Sequence, residues 1–139
     1  FILLSAVLHR VSCITEIRVG LIVAESVDQK AIGWAQSGGA IAVALDRIND
    51  ENLLNGYNFT FFARNCDCDP TDTVGAMIEF IEDLDVHAVV GPPCGGIYSG
   101  TLSTAYSKPT FMWGHTFLSA LADDIRFPYV TMITATSLT

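Results

Sequence analysis

The chain has 139 residues, half of them hydrophobic and 16% charged, which suits one domain with a real core and is too apolar for a disordered segment. Its formal net charge is −8, and its seven basic residues stand singly, so no patch is available for phosphates and nucleic acid is not expected as a partner.

The first eight residues, Phe1 to Leu8, form an apolar run as long as a signal-peptide core and far too short to span a membrane. Residues 1–15 are therefore read as a truncated leader, with a buried strand or helix start as the alternative. Residues 16–139 are read as the folded domain. Asn58-Phe59-Thr60 is the sole N-glycosylation sequon, with Asn58 the acceptor, and it agrees with a secretory route. Any membrane attachment is expected to lie in a segment outside this chain.

Near-continuous apolarity over Ile17–Ala24 predicts a strand buried on both faces. A helix is expected from about Ala31 to Asp50, with Ile41, Leu45 and Ile48 on one stripe. Gly38-Gly39 weakens it by about 1 kcal/mol per glycine and suggests close backbone packing. A second strand is read over Tyr57–Ala63. The following helix has clear start signals: Asp69 as cap, Pro70 at the first helical position, and Asp72 in the first turn. Its expected apolar stripe is Val74, Met77, Ile78 and Ile81. A third strand, Val86–Val90, leads into the loop Gly91-Pro92-Pro93-Cys94-Gly95-Gly96. A weaker helix spans Ser99–Tyr106, a fourth strand Pro109–Trp113, a loop or short helix His115–Asp124, and a fifth strand Tyr129–Ile133.

Strict alternation of strand and helix implies an α/β fold: a parallel sheet with helices on both faces. Ligands of such sheets bind outside the carboxyl ends of the strands. The residues expected there, and hence the candidates for lining a ligand cleft, are Ser26, Gly95, His115, Thr116 and Ser137.

No catalytic or nucleotide-binding motif accompanies this pattern. The first strand leads into Glu25-Ser26-Val27-Asp28, which lacks glycine and carries anions where a phosphate needs N–H groups. Neither Gly-x-x-x-x-Gly-Lys-Ser/Thr nor Gly-x-Ser-x-Gly occurs. No catalytic residue, cofactor or resident metal is expected. His87, in the third strand, reads as a core or edge residue. Cys66, Cys68 and Cys94 with His87 have the ligand types for zinc, but one Cys-x-Cys pair without a second close pair does not make that site. Asp67, Asp69 and Asp72 suggest calcium less well than they suggest helix capping. The structural reading is a disulfide from Cys66 or Cys68 to Cys94, between loops that follow strands expected to be adjacent.

Taken together, Asn65-Cys66-Asp67-Cys68-Asp69, Val89-Val90-Gly91-Pro92-Pro93-Cys94 and Pro109-Thr110-Phe111-Met112-Trp113-Gly114 resemble the extracellular ligand-binding domain of receptor guanylyl cyclases. This group is related to the natriuretic peptide receptors, and the likeness is to its invertebrate sensory branch. It runs from about Ile17 to Thr139. It implies the N-terminal lobe of a type I periplasmic-binding-protein fold. The 26 positions between Cys68 and Cys94 are similar to the disulfide loop of natriuretic receptors, which implies a Cys68–Cys94 bridge and leaves Cys66 over. Those receptors bind chloride through backbone N–H groups of a Gly-Pro-Gly-Cys loop; here Pro93 removes one such donor.

The resemblance further implies an extracellular location, a small-molecule or peptide ligand, and a homodimer through the ectodomain. Ligand binding would couple to cyclic GMP synthesis by a domain not in this chain. A free solute-binding protein or decoy of the same fold is the alternative, and a cytosolic flavodoxin-like enzyme domain a more distant one.

Overall fold

The computed structural model describes residues 14–25, 32–116 and 118–134. Five strands form one parallel sheet: β1 (Thr15–Val23), β2 (Tyr57–Asn65), β3 (Ala88–Val90), β4 (Thr110–Met112) and β5 (Val130–Met132). Their order across the sheet is β2-β1-β3-β4-β5. Strands β2 and β3, expected to be neighbours, are separated by β1. β1 begins at Thr15, one residue inside the segment read as a leader; residues 1–13 of that segment, Cys13 included, lie outside the described residues.

The expected helix over Ala31–Asp50 is divided. α1 (Trp34–Ser37) and α2 (Gly39–Asp50) meet at Gly38, where a side chain would meet the Trp34 ring at 2.9 Å. Gly39 has open space around it, so the close approach involves the first glycine of the pair alone. Ile41, Leu45 and Ile48 are half-buried, Ile41 against the sheet, while Val43 is exposed.

α3 (Pro70–Ile78) starts as its signals dictate. The Asp69 carboxylate accepts from the Thr71 and Asp72 N–H groups at 2.7 and 3.0 Å. It then widens into a π-helical turn, Glu79–Asp83. The buried face is Thr73, Ala76, Met77, Phe80 and Ile81, at i, i+3, i+4, i+7 and i+8, whereas Ile78, expected on the stripe, is exposed. Phe80 fills the space over Gly20 of β1, where even a Cβ would come within 2.4 Å of its ring.

α4 (Ile97–Tyr106) reads weakly in sequence because its buried face is small and polar, made of Ser99, Gly100 and Ser103. The Ser103 and Thr110 hydroxyls hydrogen-bond to each other, locking α4 to β4. A short 3-10 turn, Ser119–Ala122, adds Leu121 to a cluster with Met112 and Phe127. Ahead of β3, His87 is exposed, not core; its Nδ1 accepts from the Arg18 N–H at 3.0 Å.

Alternation along the strands divides the core. Ile22 and Val89 face α3, together with Met77, Phe80 and Val86. Val19, Leu21 and Val23 face the other way, under Trp34 and Ile41 and beside Phe59, Phe61 and Val90. On that second face Phe111, Tyr129 and Ile133 of the β4–β5 side remain exposed, so among the described residues the sheet is covered fully on one face only.

Candidate functional site

The carboxyl ends of the strands form a rim built from three loops. Asn65, the last residue of β2, and Asp67 just beyond it fold over the end of β1. The Glu25 N–H donates to Asn65 Oδ1 at 3.1 Å and to Asp67 Oδ1 at 2.6 Å, and the Cys66 N–H donates to the Val23 carbonyl at 3.0 Å. Asp67 and Cys68 both have positive φ, 41° and 68°, a conformation that non-glycine residues seldom adopt. That tight turn swings the Cys68 side chain across the end of β1 toward the loop after β3. There Cys68 and Cys94 are joined by a disulfide, with Cα atoms 5.4 Å apart.

The loop after β3 is equally constrained. Gly91 has φ +107° and lies so near the Ile22 carbonyl that a Cβ would come within 2.4 Å of it. The Gly91–Pro92 peptide is cis. The Pro93 carbonyl accepts from the His115 N–H at 2.7 Å, and Cys94 pairs with His115 as an isolated parallel bridge. Gly114, φ +75°, permits this approach, because a Cβ there would meet the Pro93 carbonyl at 2.5 Å.

Three of the five cleft candidates are thereby brought to one place. Gly95 and His115 are exposed on the rim. Thr116 is adjacent but buried; its hydroxyl donates to the Trp113 carbonyl at 3.3 Å and its methyl packs near Gly96. Its role is to fix the loop, and the polar face it was expected to show is turned inward. Ser26 and Ser137 lie outside the described residues. Reading the sequence alone missed Asn65 and Asp67 as rim builders; the signal was present in the short polar side chains just after a strand, where turns take their hydrogen bonds.

Cys66 has a different fate from Cys68. It is 3% exposed and outside any disulfide, in the core cluster with Ile22 and Met77. Burial pushes its thiol up from the usual value, partly opposed by a hydrogen bond with Thr73. A thiol in this position cannot reach another chain.

Beside the rim, on the α1–α2 face, lies an apolar groove of about 190 Å³ lined by Val23, Trp34, Ile41, Val90, Trp113 and Ile133 among others. It is smaller than the roughly 300 Å³ at which small-molecule sites begin, and none of Gly95, His115 and Thr116 touches it. It is a gap in the packing of a partly covered sheet, distinct from the rim. Among the described residues no group of His, Cys, Asp and Glu side chains could hold a metal ion, and no helix is long and apolar enough to cross a membrane.

The chain has counterparts among known proteins. Residues 36–139 match the family described as the receptor family ligand binding region. The chain belongs to that family. Receptor-type guanylate cyclase gcy-4 of Caenorhabditis briggsae is 38% identical over 125 residues, covering 88% of this chain and 11% of that protein. The gcy-4 protein of Caenorhabditis elegans is 35% identical over 84% of this chain and 10% of its own length. This member of the ligand-binding-region family thus spans about a tenth of the length of the curated relatives it matches.

Among solved structures, the branched-chain amino acid substrate-binding protein LivJ of Streptococcus pneumoniae, in complex with isoleucine, superposes with a TM-score of 0.72 at 21% identity. The match covers 88% of this chain and 34% of LivJ. A possible leucine/isoleucine/valine-binding protein of Rhodopirellula baltica gives 0.66 at 20%, over 84% and 31%. These likenesses show the fold, that of the periplasmic-binding-protein type.

Proposed function

We propose that this chain is the N-terminal lobe of the extracellular ligand-sensing domain of a receptor guanylyl cyclase. It contributes the rim at Gly95 and His115 to a cleft closed by a second lobe, and ligand capture there alters cyclic GMP synthesis by a cyclase domain elsewhere in the polypeptide. The observation that carries this reading is the alignment of 88% of the chain, at 38% identity, with a receptor-type guanylate cyclase. The position of the rim adds support, since ligands of open parallel sheets bind beyond the strands' carboxyl ends. Dimerisation through the ectodomain belongs to the same reading.

The ligand classes to try first follow from the structural likenesses: free amino acids, as in LivJ with isoleucine, and small aromatic acids, as in the solute-binding protein of Rhodopseudomonas palustris with 3,4-dihydroxybenzoic acid. Cells making the full-length protein would be exposed to such compounds and to peptides, with intracellular cyclic GMP as readout. A response lost in His115→Ala and Gly95→Trp at unchanged surface level supports the rim as the site. A response untouched by both substitutions moves the ligand to an interface between subunits.

The second reading, a free solute-binding protein, is favoured by the TM-score with LivJ. The sequence beyond Thr139 separates the two: a second lobe, an apolar helix and a cyclase domain in one case, the second lobe alone in the other.

A further inference from the structure

Asn58 lies on β2, which among the described residues is an edge of the sheet. This edge is long, and its pairing with β1 is unbroken from Thr15–Tyr57 to Val23–Asn65, with no bulge to twist it away. Natural edges are blunted by short length, bulges, prolines or charges, because unpaired N–H and C=O groups otherwise recruit another strand. Tyr57–Ala63 has none of these devices; the strand's one charge, Arg64, is at its far end and is held by Glu79. The strand's entrance is also apolar and open: Ile14 is 68% exposed and Leu53 57%, with Leu54 and Tyr57 exposed beside them.

Asn58 stands in this unprotected stretch. It is exposed and pairs in register with Glu16, whose carboxylate accepts from the Thr60 hydroxyl at 2.5 Å. Alternation puts Phe59 and Phe61 on the α2 side of the sheet, where their rings stack, and Asn58 on the opposite side. Asn58 is at the amino end of the strands, and the rim with Gly95 and His115 is at the carboxyl end.

We propose that Asn58 carries an N-linked glycan and that this glycan shields the free edge of β2 and its apolar entrance. A bulky, hydrated group rooted there does what charges and bulges do on other edges, and it leaves the rim clear. The proposal rests on the extracellular reading, since the oligosaccharide is attached in the secretory pathway.

The test uses the full-length protein made in animal cells, with peptide mapping by mass spectrometry. In the peptide map, wild type and Thr60→Ser, which keeps the sequon, carry glycan on the peptide holding residue 58; Asn58→Gln carries none there. Enzymatic removal of the glycan from folded, detergent-solubilised protein shifts its size distribution to larger species, a readout that needs no mutation. Bare Asn58 together with an intact Cys68–Cys94 disulfide overturns the glycan while the extracellular reading stands. Bare Asn58 with Cys68 and Cys94 both reduced overturns the two together. A glycan whose removal leaves the size distribution unchanged overturns the shielding role.

Discussion

Cys66 and Cys68 share one loop, yet the left-handed turn at Asp67 and Cys68 sends Cys68 to Cys94 and leaves Cys66 in the core. Closing a loop of this length contributes about 3 kcal/mol on the chain-entropy account. Cys68→Ser is therefore expected to lower unfolding free energy by about that amount in urea titration. Cys66 should resist alkylation in the folded protein and react only under denaturant, because burial both hides the thiol and holds it protonated. Arg64 and Glu79 give a second residue-scale expectation. The Arg64 hydrogen bond holds the Glu79 carboxyl below the usual carboxylate range. The stabilisation is thus present above the ordinary carboxylate pKa and is lost as pH falls through the lower folded value. Acid titration of stability should show a shallower low-pH limb in Glu79→Gln than in wild type. The cysteine spacing was legible in the sequence; the choice between Cys66 and Cys68 followed there only from a resemblance, because it depends on two φ angles that no residue type announces.

At the scale of elements, the order of strands and helices was legible almost throughout. Continuous apolar runs mark buried parallel strands, and Asp69-Pro70 marks a helix start, by local physics alone. What was not legible depends on neighbours distant in sequence. Gly20 looks like an unremarked residue within β1, but Phe80, on the buried face that follows α3, occupies the space beside it. Gly20→Ala is expected to destabilise by roughly 1–3 kcal/mol through overpacking, with the trimming variant Phe80→Leu recovering part of the loss. Thermal unfolding of the single and double variants measures this; additive losses would show that the two positions do not share one space. The inward hydroxyl of Thr116 was hidden for the same reason. Its sequence position marks the end of β4, while its orientation is set by Trp113 and Gly96.

For the molecule as a whole, helices lie on both faces of the sheet as alternation implies, α3 on one and α1–α2 on the other, and Phe111, Tyr129 and Ile133 stand open beside the second group. Ile133 is 67% exposed and Phe111 39%. LivJ is about three times the length of the part that matches this chain. The chain alone should self-associate through these open residues, and Phe111→Ser with Ile133→Lys should shift sedimentation toward monomer at equal concentration. The rim behaves in the opposite manner. The exits of β2, β3 and β4 are tied in series, first by the Cys68–Cys94 bond and then by the Pro93–His115 hydrogen bond. Such a crosswise tie restrains independent motion of the loops, so in the two-lobed receptor proposed above this segment would act as a fixed jaw, with closure at hinges outside it and the cost of ordering these loops met before a ligand arrives. In amide hydrogen exchange, the His115 N–H should exchange as slowly as the strand core, and reduction of the disulfide should speed it selectively.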